Sequence, residues 1–433
     1  MSEEKDYEFE TLQLRAGYKP EEHNYACTVP IYQTASFNIG DTDRLQRLKS
    51  REENGFFYTR SGNPTLNILE KRITALEGGT AAIAVSSGMA AVAYSLLNAA
   101  EGGGEIIAVY SIYAGSYNLL EHTLPKFGVK VKWIENPYDT ESFKNAITEN
   151  TKCIFIESIG NPLINVIDIE TIANIAHEEN IPLIVDNTFA TSYLLKPFEF
   201  GADIVVYSST KSLAGHGSTL GGLIVENNKF DWSSGKFPHF TEPDYKVENK
   251  NLLEVFPDAP FTARVRLHYL SELGAVLSPF NAFLILQGIE TLSVRIEREV
   301  ENTEKIIDHL LNHPQVSWVS YPNIKDERNY RNRELSEKYL PKGAGSIFSF
   351  GFKGSQEDIN KFLNSLKVFS FLVNVGDSKS LVIQPSRTTH SSLSEERREK
   401  AGAFENALRV SVGLENVNDL ISDLDQAFEK SLQ

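Results

Sequence analysis

Cysteine is almost absent from this sequence: Cys27 and Cys153 are the only two in 433 residues. That scarcity excludes a disulfide framework and a zinc site built on cysteines, and the apolar setting of Cys153 in "TKCIFIE" reads as a buried core thiol. Basic residues are in deficit, 42 against 58 acidic, for a net charge of -16. Such a balance opposes general affinity for nucleic acid or anionic membranes, while a local basic pocket can still take a small anion. No apolar run approaches the ~18 residues of a membrane span. The acidic start "MSEEKDYEFETLQLRAG" lacks the apolar core of a secretory signal. The expected location is the cytoplasm and the expected partner a small molecule.

What is present is a long alternation of two patterns. The chain is too long for one ordinary domain and suits two or three. Between about residues 65 and 225, helical segments such as "TLNILEKRITALEGG", "MAAVAYSLLNAA" and "DIETIANIAHEEN" alternate with short apolar runs. Those runs are "AAIAV", "EIIAVY", "VKVKWI", "TKCIFIE", "IPLIVDN", "ADIVVYS" and "GGLIVE". Repeated strand and helix with short connections predicts an α/β domain with a mainly parallel sheet covered on both faces. Ligands of such sheets bind at the carboxyl ends of the strands.

The remaining segments are less regular. Residues 1–64 carry little pattern and read as an arm that reaches a neighbouring subunit, with 65–275 as the large domain and 276–433 as a C-terminal domain. The segment "NNKFDWSSGKFPHFTEPDYKVENKN" has aromatics and prolines without a period; a disordered insertion is one reading, and an ordered surface or interface loop is preferred. "SPFNAFLILQGIETLSVRIEREVENTEKIIDHLLNH" reads as one long helix from Pro279 to Pro314. The rest predicts a smaller α+β domain.

Three loops follow apolar runs on the carboxyl-end side. Ser86-Ser87-Gly88-Met89 leads directly into a helix, which suits a phosphate cradle and equally an ordinary serine N-cap. Asp186 ends "IPLIVDN", where a carboxylate needs a cation, hydrogen bonds or a metal, or else caps a turn; Thr188 follows in the same loop. In "VVYSSTKSLAGHGSTLGGLIV", Lys211 is the only permanent charge among hydroxyls and glycines, beside Ser208 and Thr210. Its amine becomes a nucleophile for a carbonyl when desolvated, although a surface lysine is the plain alternative. No P-loop glycines precede it, and "EGGGEI" lacks the dinucleotide fingerprint. His309 and His313 lie four apart on a helix with no glutamate between them, so they read as cations near a helix C-terminus and no metal site is expected.

A strand-end acid, a strand-end lysine and a serine-glycine helix start together match the needs of pyridoxal 5'-phosphate (PLP). That cofactor requires a lysine for its imine, an acid to hold the pyridine nitrogen protonated, and donors for its phosphate. With these motifs in hand, the sequence resembles the Cys/Met-metabolism family of fold-type-I PLP enzymes over nearly its whole length. The resemblance rests on "VPIYQTASF", "YTRSGNPT", "SSGMAA", "ESIGNP", "VDNTFATSYLLKPFEFGADIVVYSSTK", "GHGSTLGG" and "LRVSVGLE". It implies a large domain with a mainly parallel seven-stranded sheet and a smaller C-terminal α+β domain.

The resemblance also implies residue roles. Lys211 would be the lysine that holds the cofactor, Asp186 the pyridinium partner, Thr188 a neighbour of the ring and Tyr113 the aromatic stacked on it, with a part in catalysis. Asn161 would bond the ring hydroxyl, and Ser87, Gly88, Met89, Ser208 and Thr210 would hold the phosphate. Tyr58 and Arg60 would reach the neighbouring subunit's phosphate, with Tyr58 also near substrate. That implies a homo-oligomer, at least a dimer and by expectation a tetramer. Arg409 would clamp the substrate carboxylate and Asn374 would lie beside it. The insertion "SGKFPHFTEPDY" and "VNVGDSKSLVI" are similar to the O-acetylhomoserine sulfhydrylase branch, whose substrates are O-acetylhomoserine and sulfide. Two positions depart from the family pattern: Tyr207 replaces a common histidine, and Arg387 in "QPSRTTH" adds a charge near the expected substrate entrance.

Overall fold

The computed structural model describes residues 7–324 and 330–433. The first six residues of the expected arm and residues 325–329 of the C-terminal region lie outside it. The larger sheet contains β1 (Ala81–Val85), β2 (Gly104–Val109), β3 (Val129–Ile134), β4 (Thr151–Glu157), β5 (Leu183–Asp186), β6 (Ile204–Tyr207) and β7 (Gly222–Glu226). Their order is β1-β7-β6-β5-β4-β2-β3. The strands from β3 to β6 are parallel to their neighbours, and β7 runs antiparallel to both β6 and β1. The expected seven-stranded, mainly parallel sheet is therefore present. Apolar residues run almost unbroken along β4, β5 and β6 because helices such as Pro64–Glu77, Gly88–Ala99 and Ile169–Glu178 cover the sheet.

Register decides where the polar ends fall. Glu157 pairs with Asp186, and Asp186 pairs with Val206, so three neighbouring strands end together. The chain returns from β6 to β7 without a crossover helix, which is why β7 is antiparallel. Its first residue, Gly222, faces Val85 at the end of β1. A Cβ on Gly222 would stand 2.0 Å from the Ser87 carbonyl oxygen, so only glycine lets the β1 exit loop pass this close.

The smaller sheet contains β8 (Val316–Ser320), β9 (Ile347–Phe352), β10 (Ser370–Phe371), β11 (Leu381–Ile383) and β12 (Ala407–Ser411), in the order β10-β11-β12-β9-β8. Helices Gln356–Ser365 and Val417–Ser431 cover it, with Phe362 and Phe428 in contact at 4.6 Å between ring centroids.

Two expectations change in detail, and the preferred reading of the insertion as ordered holds. The single long helix is two, Pro279–Ile289 and Leu292–Leu311. At the break, Arg295 Nη2 donates to the Gly288 carbonyl at 2.7 Å, taking an acceptor that a continuous helix would use itself. The arm begins with a helix, Phe9–Arg15, that packs on its own chain: Phe9 and Leu12 are buried, and Arg72 Nε donates to the Ala16 carbonyl at 2.9 Å. The aromatic insertion is ordered and anchored inward. Trp232 stacks with Phe261 at 5.1 Å and lies 4.6 Å from Phe240, and all three rings are buried.

That anchoring makes a stability prediction. Trp232→Ala removes a buried ring and is expected to cost ~3–5 kcal/mol, measured by urea unfolding. A loss within ~0.5 kcal/mol, typical of exposed positions, would show that the insertion is held by something else.

Candidate functional site

A cavity of about 220 Å³ opens at the carboxyl edge of the larger sheet, where the smaller sheet meets it. Its floor and walls include Gly88, Asp186, Thr188, Ser208 and Lys211 from the large domain, with Asn374, Thr389 and Arg409 from the other side. The first wall is the start of the helix Gly88–Ala99. Ser87 caps it by accepting the Ala90 N–H at 3.1 Å, and the first turn's N–H groups lack helical partners. Gly88 touches Ser208 so closely that a Cβ would lie 2.5 Å from that residue's Cβ. Thr210 Oγ1 accepts the Gly221 N–H at 3.0 Å and pins the loop after β6 to the chain entering β7.

Asp186 stands at the end of β5 with no cation bonded to it among the described residues. Its Oδ1 accepts the Thr188 N–H at 3.0 Å and the Thr188 hydroxyl at 2.5 Å. The same hydroxyl accepts the Ser208 N–H at 2.8 Å, so Thr188 ties the β5 and β6 loops together. Burial pushes the Asp186 carboxyl up to about 6 despite those bonds.

Lys211 is the counterpart. Its Nζ donates to Asn374 Oδ1 at 2.6 Å. Burial first, and then the nearby Arg409 charge, lower its ammonium to about 8. Arg409, near the middle of β12, is 4% exposed. Its guanidinium donates to Asn161 Oδ1 at 2.9 Å and to the Asn374 carbonyl at 3.4 Å. Burial lowers it to about 10, against the opposing influence of Tyr113 and Glu157. One asparagine therefore contacts both cations, through its side chain and its backbone.

Tyr113 lines the cavity and remains 41% exposed, a position open to a planar ligand. Its N–H donates to Glu157 Oε1 at 2.7 Å. Glu157 was not singled out by the sequence reading, although it opens "ESIGNP"; the available signal was a second acid at the end of an apolar run. Ser87 and Met89 also lie on the cavity. Tyr58 and Arg60 do not line the cavity of their own chain: the Arg60 guanidinium sits 5.5 Å from the Tyr58 ring centre, and Tyr58 is 47% exposed.

The two departures also find places. Arg387 is exposed, pairs with Glu405 at 3.7 Å and does not line the cavity; Thr389, two residues on, does. Tyr207 is buried away from the cavity, where its hydroxyl donates to Glu77 and accepts from Asn187 Nδ2 at 3.0 Å. Burial holds the Glu77 carboxyl up at about 8. His309 pairs with Asp425 at 2.6 Å and His313 stacks on Phe428, where burial lowers its imidazole from the ordinary value. Among the described residues no group of three or more His, Cys, Asp or Glu side chains is placed to hold a metal. No helix among the described residues is long and apolar enough to cross a membrane.

These residues fit PLP. A buried carboxylate awaits a cation, a lysine with a lowered amine value lies in the same cavity, and a glycine start leaves a helix N-terminus open to an anion. Comparison with known proteins agrees. The profile of the Cys/Met metabolism PLP-dependent enzymes matches residues 10–429. A homocysteine synthase of Schizosaccharomyces pombe is 44% identical over 97% of this chain and 98% of its own length. An O-acetyl-L-homoserine sulfhydrylase of Leptospira meyeri is 42% identical over 98% of this chain and 97% of its own. Among solved structures, a Campylobacter jejuni protein described as an O-acetylhomoserine (thiol)-lyase carries N'-pyridoxyl-lysine-5'-monophosphate. It matches with a TM-score of 0.93 at 39% identity, covering 98% of this chain and 100% of that one. With agreement of this extent in sequence and in fold, the chain belongs to the Cys/Met metabolism family of PLP-dependent enzymes.

Proposed function

We propose that this protein is a cytoplasmic O-acetyl-L-homoserine sulfhydrylase, exchanging the acetate on the γ carbon for sulfide to give L-homocysteine. The observation that carries the reading is the meeting of Lys211, Asp186 and Arg409 in one cavity, in a chain whose full-length relatives bear that activity in their names.

In this reading, Lys211 would hold the cofactor and Asp186 would bond the ring nitrogen, supported by Thr188. Tyr113 would cover the ring and Asn161 would bond its hydroxyl. Ser87, Gly88, Met89, Ser208 and Thr210 would surround the phosphate. Tyr58 and Arg60 complete that phosphate site from a neighbouring subunit, so the working form is a homo-oligomer of at least two chains; their position outside their own cavity supports this. When bound, PLP supplies an electron sink that acidifies the carbons next to the substrate amine.

The chain's own residues then orient the substrate and move protons. Arg409 offers a planar fork to the substrate α-carboxylate, and Asn374 stands between it and Lys211. A free Lys211 amine with a value of about 8 is partly neutral near physiological pH, so it can take protons from the α and β carbons before acetate leaves and return one to each after sulfide has added. Overall the γ carbon–oxygen bond breaks and a γ carbon–sulfur bond forms: hydrosulfide keeps its proton as the product thiol, and its negative charge leaves on acetate. Tyr113, at the open side, is placed to assist at the γ end.

Several outcomes test this. Homocysteine should form from O-acetylhomoserine only when sulfide is supplied; release of ammonia and a 2-oxo acid at equal rates without sulfide would make the protein a γ-lyase instead. Lys211→Ala should lower turnover by at least ~10³-fold and remove the visible absorbance of lysine-linked cofactor. Arg409→Lys keeps the charge but loses the fork. KM for the amino-acid substrate should rise by ~10-fold or more with a smaller change in kcat; an unchanged KM would remove Arg409 from the carboxylate site.

Asp186 gives a pH signature in the cofactor-free protein. Its folded value, about 6, lies above the ordinary 3.8. The protonated form therefore contributes stability that is fully present below pH ~4 and is lost as the pH rises through about 6. Thermal unfolding should find cofactor-free Asp186→Asn more stable than the cofactor-free parent at pH 7.5, by up to ~3 kcal/mol, with the difference vanishing near pH 4. A pH-independent difference would assign the effect to packing.

A further inference from the structure

Glu157 is the acid of this cavity that no role above uses. It ends β4 directly opposite Asp186 on β5, and adjacent strands lie only ~4.8 Å apart. It is 5% exposed and forms no ion pair among the described residues; its hydrogen bond is the one accepted from the Tyr113 N–H at 2.7 Å. The charged and titratable groups around it are Asp186 after β5, Tyr113 after β2, Lys211 after β6 and Arg409 on β12. Two carboxylates side by side in a dry site do not both ionise when only one of them is to receive a cation.

We infer that Glu157 is a positioning residue that stays protonated beside Asp186 and, through Oε1, fixes the backbone of Tyr113 so that its ring is held at the cavity mouth. The inference rests on the proposed placing of Tyr113 over the cofactor ring. Keeping the proton on Glu157 leaves Asp186 as the sole anion available to the cofactor nitrogen, and burial together with the Asp186 charge acts in the same direction on Glu157. Tyr113 leaves β2 through a short turn and caps the helix Ala114–Asn118, its carbonyl accepting the Tyr117 N–H at 3.0 Å, while the bond to Glu157 links its N–H to the rigid sheet. Sequence position alone hides the connection, because Tyr113 and Glu157 belong to separate strand exits.

The test uses the holoenzyme and two substitutions. Glu157→Gln preserves an acceptor oxygen and a neutral side chain; Glu157→Ala removes the acceptor. Hydrogen–deuterium exchange at the Tyr113 amide, read by mass spectrometry, should be at least ~10-fold faster in Glu157→Ala and close to the parent in Glu157→Gln. The pH midpoint of the cofactor absorbance should stay within about half a unit of the parent in Glu157→Gln. An unchanged Tyr113 exchange rate in Glu157→Ala overturns the inference. So does a larger midpoint displacement in Glu157→Gln, which would mean that a charge had been removed. If Tyr113→Ala leaves the cofactor spectrum unaltered while Glu157→Ala still frees the amide, the Glu157 contact stands and the placing of Tyr113 over the ring is what fails.

Discussion

Strands buried on both faces can present polar groups only where they end. β4, β5 and β6 obey that constraint together, and their common register brings the ends to one line. Unpaired polar groups within the strands would each cost desolvation energy, so the chemistry is confined to the carboxyl edge. There Glu157 and Asp186 face each other, and the loops that follow carry Asn161, Thr188 and Lys211. Asp186 keeps an uncomfortable position: burial raises it, two bonds from Thr188 resist, and a cation would relieve it. Its ionised form is thus held in an unfavourable place, and a cation bonded to it would stabilise the chain.

The second sheet turns that edge into a cavity. Arg409 is buried near the middle of β12, where a guanidinium survives only with partners, and it finds them in Asn161 from the large domain and in the Asn374 carbonyl. Asn374 in turn accepts from Lys211. The same arrangement keeps two cations close, and the proximity of Arg409 adds to burial in lowering the Lys211 amine. The position of Arg409 and the lowered Lys211 amine therefore share one physical cause.

Much of this was legible in the residues. Unbroken apolar runs declared doubly covered strands, and their terminal residues marked Asp186 and the approach to Lys211, because a sheet of this kind has few other places for an acid or a lysine. The aromatic insertion was legible as ordered only through its density of rings; its anchor, Trp232 on Phe261, joins positions distant in the chain. Glu157 escaped notice because one acid after an apolar run has no pattern until its neighbour strand is known. The split between Ile289 and Leu292 escaped because helix periodicity continues across it, and the contact at the break, Arg295 reaching back to Gly288, involves a side chain that sequence does not orient. The partner of Arg387 was hidden for a related reason: side-chain direction depends on the nearest counter-charge, here Glu405.

The sequence by itself determined the fold class, the family and the identity of the strand-end residues, since hydrophobic periodicity and ordered motifs are local properties of the chain. Only the tertiary structure decided which of those residues meet. The pairing of Glu157 with Asp186, the bridge from Lys211 through Asn374 to Arg409, and the isolation of Tyr207 beside Glu77 all depend on strand order and on the docking of one sheet against another. Long-range contacts of that kind follow from packing the whole core, and no stretch of the chain contains them.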